Sequence, residues 1–132
     1  MRAAIQKMNA KELSAFLEWN DVVLKWYQAD HVKTMVLNAT LNVPENYGSI
    51  LADEMGLGKS IQSLSVQAAL EILDPNRPAA LFVIPKATLD SDQWRKEALR
   101  NKRWDDESIF IYHGANRQKK FEDKQKQLGK FK

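Results

Sequence analysis

The chain has 132 residues, one domain's worth, with 44% hydrophobic and 28% charged residues. That composition excludes a collagen, a coiled-coil rod and wholesale disorder, and no stretch approaches the ~20 apolar residues that span a bilayer. There are no cysteines, so disulfides, Cys-ligated zinc and thiol catalysis are excluded. Charge is uneven. Residues 1–92 hold eight basic and eleven acidic residues, a net −3; residues 93–132 hold twelve and six, a net +6. The basic third suits nucleic acid or, equally, a solvated helix face with a polar tail.

In chain order, Asn9 and Glu12 form a predicted capping box, followed by Leu13, Phe16 and Leu17 at helical spacing. A second helix is expected from Trp26 to Leu41, with Val32, Met35 and Val36 apolar. Pro44 and Gly48 punctuate a loop at 42–48. Residues 49–52 read as a short strand, 53–58 as a tight glycine-bearing turn, and Lys59 to Leu73 as a helix with Ile61, Leu64, Ala68 and Ile72 on one stripe. Pro75 ends it. The continuous apolar run at 79–84 fits a strand buried on both faces of a parallel sheet. Asp90 and Gln93 suggest another helix start, with Trp94 to Asn101 carrying the helix. Residues 108–112 are a third strand candidate, and 117–127 are polar and helix-compatible. Two helices followed by three strand–helix units predict an α/β domain with a parallel sheet.

The segment SILADEMGLGKS at 49–60 sits between a strand candidate and a helix, where a phosphate-binding loop belongs. Backbone N–H groups of such a loop surround phosphates. Gly56 and Gly58 permit its geometry, Lys59 supplies positive charge, Ser60 offers a hydroxyl to Mg²⁺, and the helix adds its N-terminal dipole. The general pattern asks for glycine five residues before Gly58, where this chain has Asp53.

Residues 50–62, ILADEMGLGKSIQ, resemble motif I of the Swi/Snf-type helicase-like ATPases, DNA translocases of helicase superfamily two that act in chromatin remodelling and DNA repair. Asp53 is the usual residue of that motif, and Ser60 keeps the hydroxyl of its more usual Thr. LKWYQ at 24–28 looks like the family's upstream segment, whose Gln reads adenine; a glycine common three residues later is His31 here. FVIPK at 82–86, with Leu89 and Trp94, is similar to motif Ia, and IYHGANR at 111–117 to the tract after the next strand. The resemblance implies the opening part of a first RecA-like lobe: an N-terminal helical segment (1–23), a partial ATP-binding domain (24–117) and a basic polar tail (118–132). It implies ATP and Mg²⁺ as cofactors, with Asp53, Glu54, Met55, Gly56, Leu57, Gly58, Lys59, Ser60 and Gln28 around the nucleotide. It implies duplex DNA as a partner, with Lys86 and Thr88 as candidate backbone contacts, chromatin as a partner of the full-length protein, and a nuclear location.

Each assignment has a plainer rival. Gln28 alone reads as a surface helix residue, and Lys86 and Thr88 as ordinary loop residues. Trp19, Trp26, Trp94 and Trp104 read as packing residues rather than base-stacking platforms. His31 and His113 have no metal-ligand spacing around them. Glu54 reads as a solvated or capping carboxylate rather than a catalytic base. An apolar strand ending in Asp-Glu, which holds Mg²⁺ and orients water, is not found outside the phosphate loop, and no second lobe is present. The chain therefore reads as a fragment, a truncated product or a partial gene model, inactive as an ATPase by itself and marginally stable. Two other readings stand beside it. One is a non-catalytic nucleotide- or DNA-binding remnant. The other is a small P-loop enzyme such as a kinase, although Arg95, Arg100, Arg103 and Arg117 do not make an obvious lid.

Overall fold

The computed structural model describes residues 2–41 and 48–128. Among these residues seven α-helices and one 3₁₀ turn (Asp106–Ser108) follow in order: α1 (Arg2–Lys7), α2 (Ala10–Phe16), α3 (Trp26–Thr40), α4 (Lys59–Leu73), α5 (Lys86–Asp90), α6 (Gln93–Ala98) and α7 (Arg117–Leu128). Most of the predicted loop at 42–48 lies outside the described residues.

The parallel sheet and the RecA-like α/β architecture expected from the sequence are not found: among the described residues there is no strand. The runs at 49–52, 79–84 and 108–112 carry no ladder pairing, and Ile50, Leu81 and Val83 are 93%, 83% and 88% exposed. An apolar run signals that a segment can be buried, but a strand exists only when a neighbour shares its backbone hydrogen bonds. Here two of the runs are tied to the helices after them by aromatic contacts instead. Phe82 lies 5.4 Å from Trp94 of α6. Phe110 and Tyr112 lie 5.4 and 5.9 Å from Phe121 of α7.

The helices gather around α3 and α4. Val32 and Val36 from α3 and Leu64, Ala68 and Ala69 from α4 are buried in one cluster with Ile5, Leu13, Leu17, Trp19 and Leu24. The capping box at α2 forms as expected: Glu12 N–H donates to Asn9 Oδ1 (2.8 Å), and Asn9 N–H to Glu12 Oε1 (3.2 Å). Ser14 then joins α2 to the entry of α3, its hydroxyl donating to Ala10 O (2.7 Å) and accepting from Leu24 N–H (2.8 Å).

Helix α2 ends on a residue whose type is unusual for its place. Trp19 N–H donates to Ser14 O and Glu18 N–H to Ala15 O, a Schellman pattern with Glu18 in the left-handed region (φ 66°). Glycine usually fills that position, because a side chain there costs ~1–2 kcal/mol. Distant partners offset that cost. Glu18 accepts from Arg103 Nη1 at 2.8 Å and, through its carbonyl, from Lys102 N–H at 2.9 Å. Beside it Asn101, fully buried, donates to Leu17 O (2.7 Å) and accepts from Arg103 N–H (2.9 Å). An isolated antiparallel bridge pairs Trp19 with Asn101. Trp19 donates to Ser65 Oγ on α4 (2.9 Å) and meets Trp104 edge-on. The loop after α6 thereby clasps the end of α2 and fixes both against α4.

Asn101→Ala should therefore cost roughly 2–4 kcal/mol, because two backbone groups lose a buried partner at once. Denaturant unfolding followed by tryptophan fluorescence measures it, with Lys102→Ala, an exposed neighbour, as a control expected within about 0.5 kcal/mol of the parent.

Candidate phosphate site at the start of helix α4

The sequence makes α4 a helix that begins with no side chain to close it. Gly58 is its N-cap, in the left-handed region (φ 80°, ψ 40°), and provides no capping side chain. The first N–H groups of a helix have no partner within it, so the start of α4 presents backbone donors together with its dipole. Gly56 also has positive φ (86°), which glycine adopts without strain. Met55 and Glu54 are exposed, while Lys59 and Ser60 are half-buried in the first turn of α4. Lys59 has no acidic partner within ion-pair distance among the described residues.

The loop's shape is set by its carbonyl at Leu57. Gln28 of α3 donates to it at 2.9 Å and Gln62 of α4 at 3.1 Å. In a trans peptide the C=O and the next N–H point in opposite directions. Holding Leu57 O toward the two glutamines turns the Gly58 N–H away from them. The glycine at 58 is required for a further reason, since a Cβ there would run into Gln28 Nε2. Gln28 is itself fixed by accepting from Lys25 N–H (2.9 Å). Its amide holds the loop in place while retaining one N–H and one lone pair for another partner.

Asp53, at the other end of the loop, accepts from Gln62 Nε2 (3.1 Å) and lies 3.2 Å from His31 Nδ1. The structure thus brings Gln28, Asp53, Leu57, Gly58 and the first turn of α4 together. Lys86 and Thr88 lie elsewhere, on α5, which packs on α6. Lys86 there is exposed and pairs with Asp90 at 2.9 Å, one helical turn along. Of the four tryptophans, Trp19 is buried and Trp94 and Trp104 half-buried, whereas Trp26 is 74% exposed. Gln62 and His31 were not assigned a role from the sequence. The former's signals in the sequence are a glutamine set among the apolar positions of α4 and its place as the last residue of the run at 50–62.

The chain belongs to the SNF2-related domain family, whose model matches residues 23–132. It is 38% identical over 80 residues to the ISWI chromatin-remodeling complex ATPase ISW2 of Saccharomyces cerevisiae, an alignment covering 59% of this chain and 7% of that protein. It is 34% identical over 96 residues to Protein CHROMATIN REMODELING 19 of Arabidopsis thaliana, covering 72% and 12%. It is 40% identical over 72 residues to a Drosophila melanogaster SWI/SNF-related regulator of chromatin containing a DEAD/H box, covering 54% and 8%. The chain therefore spans only a small part of the length of these relatives. No solved structure matches it. The resemblance seen at 50–62 is borne out at the level of the family, and the small-kinase reading is set aside.

Substitutions at the two glycines separate strain from contact. Gly56→Ala should cost about 1–2 kcal/mol, the left-handed penalty alone, because nothing lies within 4 Å of a Cβ there. Gly58→Ala should cost about 1 kcal/mol more, since it also displaces the Gln28 hydrogen bond. In a double-mutant cycle, Gly58→Ala should couple to Gln28→Ala while Gly56→Ala does not, read from denaturation midpoints.

Proposed function

We propose that this chain carries the nucleotide-binding loop of a Swi/Snf-type DNA-dependent ATPase. The observation that supports this most directly is the start of α4, which has no side-chain cap, is entered through Gly56 and Gly58, and is flanked by a half-buried lysine without an acidic partner among the described residues. An anion of several charges is the ligand such a place suits. Its oxygens would meet the N–H groups of Gly58 and the first turn of α4, and Lys59 would add a charge-assisted contact.

The donor set also fits Mg²⁺ arriving with a nucleotide. Among the described residues no three-member cluster of His, Asp and Glu could hold a metal alone. Mg²⁺ commonly takes one or two protein oxygens, several waters and the substrate's phosphates, and Ser60 would be the protein hydroxyl. When bound, the ion neutralises charge on the phosphate oxygens. Asp53 is already engaged by Gln62 and His31 and holds the loop rather than the metal. Gln28 would use its remaining N–H and lone pair on the adenine edge. Glu54 and Met55, both exposed, flank the site without an assigned contact.

Duplex DNA is the proposed second partner, in a nuclear, chromatin-associated protein that remodels chromatin or repairs DNA. The relatives' printed names support remodelling and chromatin; the repair alternative comes from the sequence resemblance. The net +6 of residues 93–132 and the exposed Lys86 supply sequence-independent contacts to the phosphate backbone.

Lys59→Ala should weaken ATP–Mg²⁺ binding by about ten- to a hundredfold, as expected for loss of a charge-assisted contact. Isothermal calorimetry on the 132-residue chain tests it, and equal affinities would reject the site. DNA binding should fall with salt at a slope of about −3 to −4 in log K against log salt. Lys86→Ala should reduce that slope by about 1. If stopping the chain at Asn116 abolishes binding and Lys86→Ala leaves it unchanged, the contact belongs to α7 and the tail alone.

A further inference from the structure

His31 stands three residues after Gln28 on α3, its ring edge-on to Tyr27. Its Nδ1 lies 3.1 Å from Gln62 Oε1 and 3.2 Å from Asp53 Oδ2. Two acceptor oxygens, Gln62 Oε1 and Asp53 Oδ2, face Nδ1, and the tautomer that suits them carries its proton there. That N–H in turn dictates how the Gln62 amide lies. With Oε1 toward the ring N–H, the Gln62 NH₂ reaches Asp53 Oδ2 and Leu57 O, both at 3.1 Å. Turned over, the amide would set donor against donor at His31 and carbonyl against both oxygens. Gln62 is fully buried, so water cannot repair such a mismatch.

We infer that His31 is a positioning residue for the phosphate loop: its Nδ1–H orients the Gln62 amide and the Asp53 carboxylate, and through them the Leu57–Gly58 peptide that faces the ligand. The assignment rests on the reading of this loop as a nucleotide site. It gives α3 a second hold on the loop besides Gln28, reaching both ends of the loop at once. Gln28 touches Leu57 directly, whereas His31 acts through Gln62 and Asp53.

Two measurements on the full 132-residue chain decide it. The first is the tautomer of His31, read by long-range ¹H–¹⁵N NMR at alkaline pH where imidazole is neutral. The expected result is a proton on Nδ1; a proton on Nε2 overturns the inference. The second is ATP–Mg²⁺ affinity for the parent, His31→Leu, His31→Asn and Lys59→Ala. His31→Leu should lose about tenfold, as for one part-buried hydrogen bond. His31→Asn should recover to within about threefold of the parent, because its side-chain amide N–H leaves from the place of Nδ1. An unaltered affinity in His31→Leu, or equal losses in Leu and Asn, overturns the inference while a Lys59→Ala loss leaves the nucleotide site standing. An unaltered Lys59→Ala removes the nucleotide site itself. Should His31→Leu fail to fold, the tautomer of the parent protein still decides between the two outcomes.

Discussion

Two glutamine amides, one from α3 and one from α4, close on the single carbonyl oxygen of Leu57, and the conformation of the loop between 53 and 59 follows from that grip. The grip exists only because α3 and α4 lie against each other, with Val32, Val36, Leu64 and Ala68 in one buried cluster. A carbonyl has two lone pairs, and using both on side chains fixes the peptide plane more firmly than one bond would. Fixing the plane fixes the direction of the Gly58 N–H. The apolar seam between the helices and the donors offered at the start of α4 are thus one mechanical unit. A substitution that shifts α3 would move the loop without touching it.

Residues before the matched family region contribute to that unit. Ile5, Leu13, Leu17 and Trp19 complete the cluster under α3 and α4, and Trp19 donates to Ser65 on α4 itself. The left-handed Glu18, held by Arg103 and by Lys102 N–H, joins this first segment to the loop after α6. Glu71 extends the join: its carboxylate accepts from Trp104 Nε1 at 3.0 Å and lies 3.4 Å from Arg103 Nε. Strain at one backbone position is thus offset by partners some 85 residues away in sequence.

The helices were legible from the sequence because their signals are local. Asn9 and Glu12 cap α2 as their spacing implies, and α4 runs from Lys59 to Leu73 as its stripe implies. Helix α3 ends one residue before the expected Leu41, and α6 is shorter than expected, with Asp92 rather than Asp90 at its N-cap position and no side-chain cap. Helices α1 and α5 were not anticipated; each is a short helix of six or five residues. The strands were misread because an apolar run records its own hydrophobicity and nothing about a partner. The glycine-bearing turn leading into the start of α4 was legible, with Gly56 and Gly58 at positive φ and Lys59 opening the helix. What holds it was not. Gln62 and His31 meet Asp53 across 9 and 22 positions of sequence, and only packing of α3 on α4 brings them together. Gly58 had a visible conformational reason, whereas its close approach to Gln28 needed the fold.

The claim at the centre is that the Leu57–Gly58 peptide is held from behind by Gln28 and Gln62 and presents its N–H to phosphate. Titrating ATP–Mg²⁺ into the ¹⁵N-labelled chain and following every amide tests it in one measurement. The account predicts large, concerted shifts of the Gly58, Lys59 and Ser60 backbone amides. It predicts that the Gln62 side-chain amide protons stay protected from exchange throughout. Shifts confined to other parts of the chain, or loss of Gln62 protection as nucleotide binds, would contradict it.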